Sequence, residues 1–340
     1  MVRPLPLIPQ NDITNSLHLR WCRVSLVRTS AIRELASSFS RIHQLPRLET
    51  IDLKFYGTWH NSDSKGRLAL QNSIIGALAA SFSVCAPSKL TSLSMHNLNA
   101  SVLSFLHSPA FQTVLKTLQR LELLMILDPA LGRNAALDHW MYFWGLCPHI
   151  VLFPTQNCLT ELTLHSGTYV GSSSGFSLRT LRFPHLRALS LCNLVFDRSV
   201  GAEDFILRHA GTLVRLGLLM CKLPFLKNES LSLSPSTTTT SSQSTTVTRD
   251  EESSNGARCW DRIWDRFAAG LTALVELHVD ERRRDPWGNA SLECRYVDPG
   301  ACVSYWEVNA LEPRNAADAD ALRRFRMIVS ARSEKIRGKS

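Results

Sequence analysis

One short phrase of apolar and polar residues returns seven times along this chain. Leu186, Leu189 and Leu191 stand in LRALSL, and Leu213, Leu216 and Leu218 stand in LVRLGL 27 residues later. The last two apolar positions are two apart, so they point to one face of a strand, and the polar residue between them points to the other. The first leucine begins the turn into that strand. The same spacing occurs at Leu48, Ile51 and Leu53; Leu90, Leu93 and Met95; Leu118, Leu121 and Leu123; Leu159, Leu162 and Leu164; and Leu274, Leu277 and Val279. Between the phrases the apolar spacing becomes helical, as in Ile32, Leu35, Phe39 and Ile42, or Ile74, Ile75, Leu78 and Phe82. A further helix runs through Trp260, Ile263, Trp264 and Phe267, and a broken one is expected around Pro109.

The leading leucines are separated by 42, 28, 41, 27, 27 and 61 residues. A period in the twenties carrying L-x-x-L-x-L is a leucine-rich-repeat signature. The pattern predicts an α/β fold: an irregular leucine-rich-repeat solenoid, an arc with parallel strands on its concave face and helices or loops on its convex face. One unit is too small to bury its own apolar side, and stacked units bury each other. Residues 1–13 are expected to be irregular. The repeat domain takes residues 14–316, and residues 317–340 form a capping helix with a basic tail. Residues 228–256, rich in Ser and Thr, hold too few large apolar side chains to offset the entropy of ordering them, which predicts a disordered insertion in one repeat. The aromatic run Trp140, Tyr142, Phe143 and Trp144 is expected to pack into the convex side.

Composition is that of a folded soluble protein, with 44% hydrophobic and 20% charged residues. The formal charge of +9 is concentrated at the end, where residues 321–340 carry seven Lys or Arg against Glu334 alone. Nine cysteines with irregular spacing and no C-x-x-C suit reduced thiols in a cytoplasmic or nuclear protein. The N-terminus lacks the apolar run of a secretory signal, and no segment is long enough to span a membrane. The N-x-S triplets at Asn99, Asn228 and Asn289 are expected to be chance matches.

Catalytic chemistry finds little support. GSSSG at 171–175 fits G-x-S-x-G around Ser173, yet it sits in a Ser/Gly-rich loop and not between a buried strand and a helix. His139, Cys147, His149 and Cys158 lack compact zinc-ligand spacing, and are expected to be buried among aromatic helices. The reading is a protein that is not an enzyme, with no cofactor and no metal. Its working surface is the polar side of the strands. One row there holds Asp52, Ser94, Glu122, Thr163, Ser190, Gly217 and His278. The next holds Lys54, His96, Leu124, His165, Cys192, Leu219 and Asp280. Cys192, Gly217 and Leu219 make a small apolar patch with charge at both ends of the arc, the pattern of a protein partner's site.

Several stretches carry a family resemblance: LPRLETIDLKF at 45–55, FILRHAGTLVRLGLLMCKL at 205–223, CWDRIWDRFAAGLTALVELHV at 259–279 and DADALRRFRMIVSAR at 318–332. Residues 14–340 resemble the irregular repeat region of fungal F-box/leucine-rich-repeat proteins. That resemblance implies a substrate receptor of a cullin-type ubiquitin ligase, joined through an F-box to a Skp-type adaptor. LPLIPQNDI at 5–13 is shorter than an F-box, so the resemblance covers the repeat region only. The Asn or Cys that follows each strand in this repeat class is matched only by Cys221, with Tyr56, Leu98, Ile126, Gly167, Leu194 and Arg282 elsewhere, which predicts an uneven arc. An alternative function is a nucleic-acid-associated protein that binds through the basic tail.

Overall fold

The computed structural model describes residues 16–20, 29–45, 47–55, 64–85, 89–100, 104–126, 133–171, 174–224, 259–280, 295–297 and 316–338. In chain order the elements are β1 (Ser16–Arg20), α1 (Thr29–Phe39), β2 (Thr50–Lys54), α2 (Ser64–Val84), β3 (Ser92–Asn99), α3 (Pro109–Leu115), β4 (Arg120–Ile126), α4 (Arg133–Cys147), α5 (Phe153–Thr155) and β5 (Glu161–Val170). They continue as β6 (Ala188–Leu194), α6 (Ala202–Arg208), β7 (Arg215–Leu219), β8 (Lys222–Pro224), α7 (Trp260–Gly270), β9 (Glu276–Asp280), β10 (Arg295–Val297) and α8 (Ala316–Arg337). The irregular segment 1–13 and the insertion 228–256 lie outside the described residues, as do the Asn228 and Asn289 triplets.

Eight strands form one sheet in the order β1-β2-β3-β4-β5-β6-β7-β9, and every pair is parallel. Sheet order follows chain order throughout, so the fold is α/β; helices lie in the connections between successive strands except from β5 to β6, where the described residues 174–187 are turns and irregular backbone. β8 and β10 make a separate parallel pair. The register is the one the leucines require: Ile51, Leu93, Leu121, Leu162, Leu189, Leu216 and Leu277 stand side by side. Leu53, Met95, Leu123, Leu164, Leu191, Leu218 and Val279 follow one pleat on, also buried. Each leading leucine, from Leu48 to Leu274, is buried beneath its turn. The helices cover this face with Ile74, Ile75, Leu78, Phe111 and Phe205, in one continuous core.

The entry to each strand repeats as well. Glu49 O accepts from the N–H groups of Thr91 and Ser92, Thr91 O from Gln119 and Arg120, and Gln119 O from Thr160 and Glu161. Thr160, Arg187 and Val214 carbonyls do the same for the units that follow them. A carbonyl with two lone pairs is thereby fully used at six consecutive junctions.

Some sequence expectations need correction. Residues 57–66, polar and Gly-bounded, read as a loop in the sequence, but α2 already begins at Ser64. Pro109 starts α3 and does not break it: Ser108 Oγ accepts from Phe111 N at 3.2 Å, and proline at the first helical position has no N–H to leave unpaired. Trp140, Phe143 and Trp144 are buried with Phe176, but Tyr142 is 60% exposed.

The post-strand asparagines are present after all, one residue earlier than expected. Asn97 and Asn193 take positive φ of 57° and 59°. Their Nδ2 groups donate to Phe55 O at 2.7 Å and Ser166 O at 2.6 Å, each in the preceding unit. The register shifts after Met95 and after His165, and such an irregularity favours a residue that tolerates the left-handed region. The shift turns Leu98 and Leu194 into the core, and the asparagine takes over the turn-closing bond. Cys221, at the expected position, reaches Leu191 O at 3.6 Å.

Candidate functional site

Among the described residues the polar side of the sheet carries no helix layer, and its residues stand in register. Asp52, Ser94, Glu122, Thr163, Ser190, Gly217 and His278 are paired neighbours across seven strands. Lys54 aligns with His96, and Leu124, His165, Cys192, Leu219 and Asp280 align with one another. The first expected row is continuous, and the second is divided between His96 and Leu124, where the register shifts. They are not equally accessible. Asp52, Ser94 and Cys192 are buried, because adjacent strands lie about 4.8 Å apart and long neighbours fold over short ones. Lys54 Nζ, for instance, rests 3.3 Å from Asp52 Oδ2. Cys192 therefore adds little to the apolar patch, which is carried by the half-buried Leu124 and Leu219. The Asp280 side chain lies outside the described residues.

The centre of the face is a polar network. Ser94 Oγ lies 2.6 Å from His96 Nε2 and donates to Glu122 Oε2 at 3.2 Å, while His96 Nε2 is 3.3 Å from Glu122 Oε1. With the serine hydrogen given to the carboxylate, the imidazole proton sits on Nε2 and is shared by serine and glutamate. A nucleophilic relay would place serine and carboxylate on opposite ring nitrogens; here they meet at the same one. The hydrogen bond from His96 is the main reason that the Glu122 carboxyl stays below its ordinary range. The nearby charge of His96, the Ser94 bond and the charge of His165 act in the same direction, against the opposing effect of burial. His165 Nε2 meets Ser190 Oγ at 3.0 Å. At the far edge, His278 Nε2 lies 2.9 Å from Glu276 Oε1.

A third row escaped the sequence reading. Thr50, Ser92, Arg120, Glu161, Ala188, Arg215 and Glu276 align two residues before the first row, on the same face. Its signal was visible as the residue immediately before the second leucine of each phrase, which alternates in sign from Arg120 onward, broken only by Ala188. Arg120 Nε and Nη2 reach Glu161 Oε2 at 2.7 and 2.6 Å. Arg215 Nη2 reaches Glu161 Oε1 at 2.7 Å, passing over the small Ala188. Beside this chain of charges, the short side chains at Ala188 and Gly217 leave an open hollow of about 580 Å³, bounded also by Thr163, Ser190 and His278. A Cβ on Gly217 would stand 3.1 Å from Ser190 Oγ, so a larger residue there would fill the hollow and press on the serine.

No protein-family model, no curated protein and no solved structure matches this chain.

The remaining candidates do not converge. His139 and His149 are exposed and Cys147 is buried, its thiol pushed far up by burial, and among the described residues no three His, Cys, Asp or Glu side chains could share a metal ion. Ser173 lies outside the described residues. Asn99 is buried, which removes it as a glycan acceptor in the folded chain. No described helix is long and apolar enough to cross a membrane. Four arginines of the basic end are engaged within the molecule. Arg323 pairs with Asp320, Arg324 with Asp265, Arg326 donates to Val279 O, and Arg332 donates to Ala268 O and Leu271 O at the end of α7.

Proposed function

We propose that this chain is an irregular leucine-rich-repeat solenoid and a non-catalytic protein-binding module whose open sheet face grips a protein partner. By the resemblance of residues 14–340, that partner is the substrate of a cullin-type ubiquitin ligase in the cytoplasm or nucleus. The repeating strand-entry bonds and the leucine register support the repeat reading. The single observation that carries the binding reading is the open face itself. Three in-register rows of mixed charge, with Leu124 and Leu219 half-exposed among them, form a continuous surface rimmed by polar groups. The basic tail is the weaker reading, because docking α8 already uses Arg324, Arg326 and Arg332.

Site-specific photo-crosslinking tests it. A photoreactive amino acid at Leu124 or Leu219 in the full chain is expected to capture the same protein in cells, and Leu219→Asp to abolish the Leu124 capture without lowering the melting temperature. A photoreactive residue at Tyr142, exposed on the helical side, is expected to capture nothing in common with them. Crosslinks found only at Tyr142 would overturn the proposal.

A further inference from the structure

The helical side of the molecule is interrupted between α5 and α6. Residues 174–187, which lead from β5 to β6, form no α-helix, so two helices flank a stretch with no helix over it. Arginines collect there. Arg208, the last residue of α6, donates from Nη1 to Leu181 O at 2.7 Å, and Arg182 donates its backbone N–H to Gln156 Oε1 at 3.1 Å. The charges of both reach His209. The Arg179 side chain lies against Gly201, three residues on from Arg198. All four arginines are exposed, and among the described residues none of them makes an ion pair. The carboxylates of this stretch are engaged elsewhere: Glu203 and Asp204 face Arg266, and Asp197 Oδ1 accepts from Ser199 N at 2.8 Å. With those four charges included, the patch still carries +2. Like charges held together in this way repel, and a polyanion relieves the repulsion.

An aromatic ring stands beside them. Phe153, on α5, is 64% exposed, and its carbonyl accepts from Gln156 Nε2 at 3.3 Å. One side chain, Gln156, therefore ties the backbone of the exposed phenylalanine to the backbone of Arg182. The cations are also of one kind, since Lys116 and Lys222 enclose eight arginines and no lysine. A guanidinium presents phosphate with a planar fork that an ammonium lacks. We infer that this side binds single-stranded nucleic acid, with one base stacked on Phe153 and successive phosphates against Arg182, Arg208 and Arg179. The ring decides among polyanions. A duplex keeps its bases stacked on one another and offers phosphates alone, whereas a single strand brings a phosphate and a free base face together. Ring and phosphate contacts are common to RNA and DNA. The site lies away from the open sheet face and does not depend on the protein-binding reading.

Fluorescence anisotropy of labelled oligo(U) and oligo(dT) with the full chain tests it, and both are expected to bind. Phe153→Ala should weaken binding about tenfold, the loss of one stacked base, and Phe153→Trp should restore it with quenching of the indole fluorescence. Arg182→Ala should weaken it too, and lower the slope of log affinity against log salt by about 0.7, the counterion share of one phosphate on a single strand. Lys335→Ala, in the basic end of α8, should change neither. The three positions are exposed, so urea midpoints should match the wild type. No binding at low salt would overturn the inference, as would binding that Phe153→Ala leaves unchanged. Duplex DNA of the same length bound as tightly, or a loss caused by Lys335→Ala alone, would overturn it as well.

Discussion

His209 shows how a single buried residue ties two units together. Its Nε2 accepts from Phe183 N at 2.9 Å, and its Nδ1–H donates to Phe205 O at 2.7 Å, so the ring is neutral in the folded chain. Burial, aided by the charges of Arg208 and Arg182, holds its pKa below the ordinary value, against the opposing bond to Phe205 O. In the unfolded chain the imidazole takes up a proton below about pH 6.5. The unfolded state then binds more protons than the folded one, so the stability present above that pH is lost as pH falls toward the folded pKa. Urea midpoints at pH 7.5 and 5.5 should show a loss in the wild type that is smaller in His209→Gln, which cannot titrate. Equal losses in both would remove His209 from the acid response. The residue scale is also where sequence reading was weakest. The bonds of His209 are not legible in the sequence, because they depend on Phe183 arriving from another unit. Nor does leucine spacing reveal the turn-closing asparagines at 97 and 193, because a register shift, a backbone event it does not encode, moves them by one position.

Among the elements, α8 explains where the basic charge goes. Its inward line of Ala321, Phe325 and Val329 is buried against α7, with Phe325 packed on Trp264 and Phe267. Arg332 supplies donors to the last carbonyls of α7, the end where a cation is favoured by the helix dipole. Arg326 satisfies Val279 O of the outermost strand, which blunts a sheet edge open to further pairing. Phe325→Ala should cost about 3–5 kcal/mol in urea denaturation, the range for an aromatic removed from a tight core. Met327→Ala, on the exposed face of the same helix, should stay within about 0.5 kcal/mol. Similar losses at both positions would mean that α8 is not docked as described. The helix and its covering role were legible from Leu322, Phe325 and Val329 behind an acidic first turn. The use of its arginines was not, since nothing in a run of basic residues says which carbonyls lie within reach.

For the whole molecule, the strands are neighbours in space in the order in which they are neighbours in sequence. Strand positions and the two outer rows could be read directly, because a period-two pattern fixes both faces of a strand at once. The third row was equally determined but lay before the second leucine, outside the phrase's alternating core. On the proposed repeat reading each unit touches mainly the one before and the one after, so stability is close to a sum of local terms. Hydrogen exchange should therefore grade along the sheet, with the amides of β4, β5 and β6, flanked on both sides, slowest, and those of β1, paired only with β2, fastest. Uniform protection from β1 to β9 would show a single cooperative unit instead.

The six double-accepting carbonyls at the strand entrances lie in a line, one per turn. Tension applied at the two ends of the chain would load these junctions one after another and not all together. The molecule would come apart like a zip drawn from its weaker end, with each tooth releasing a length of chain set by the spacing of its leucines.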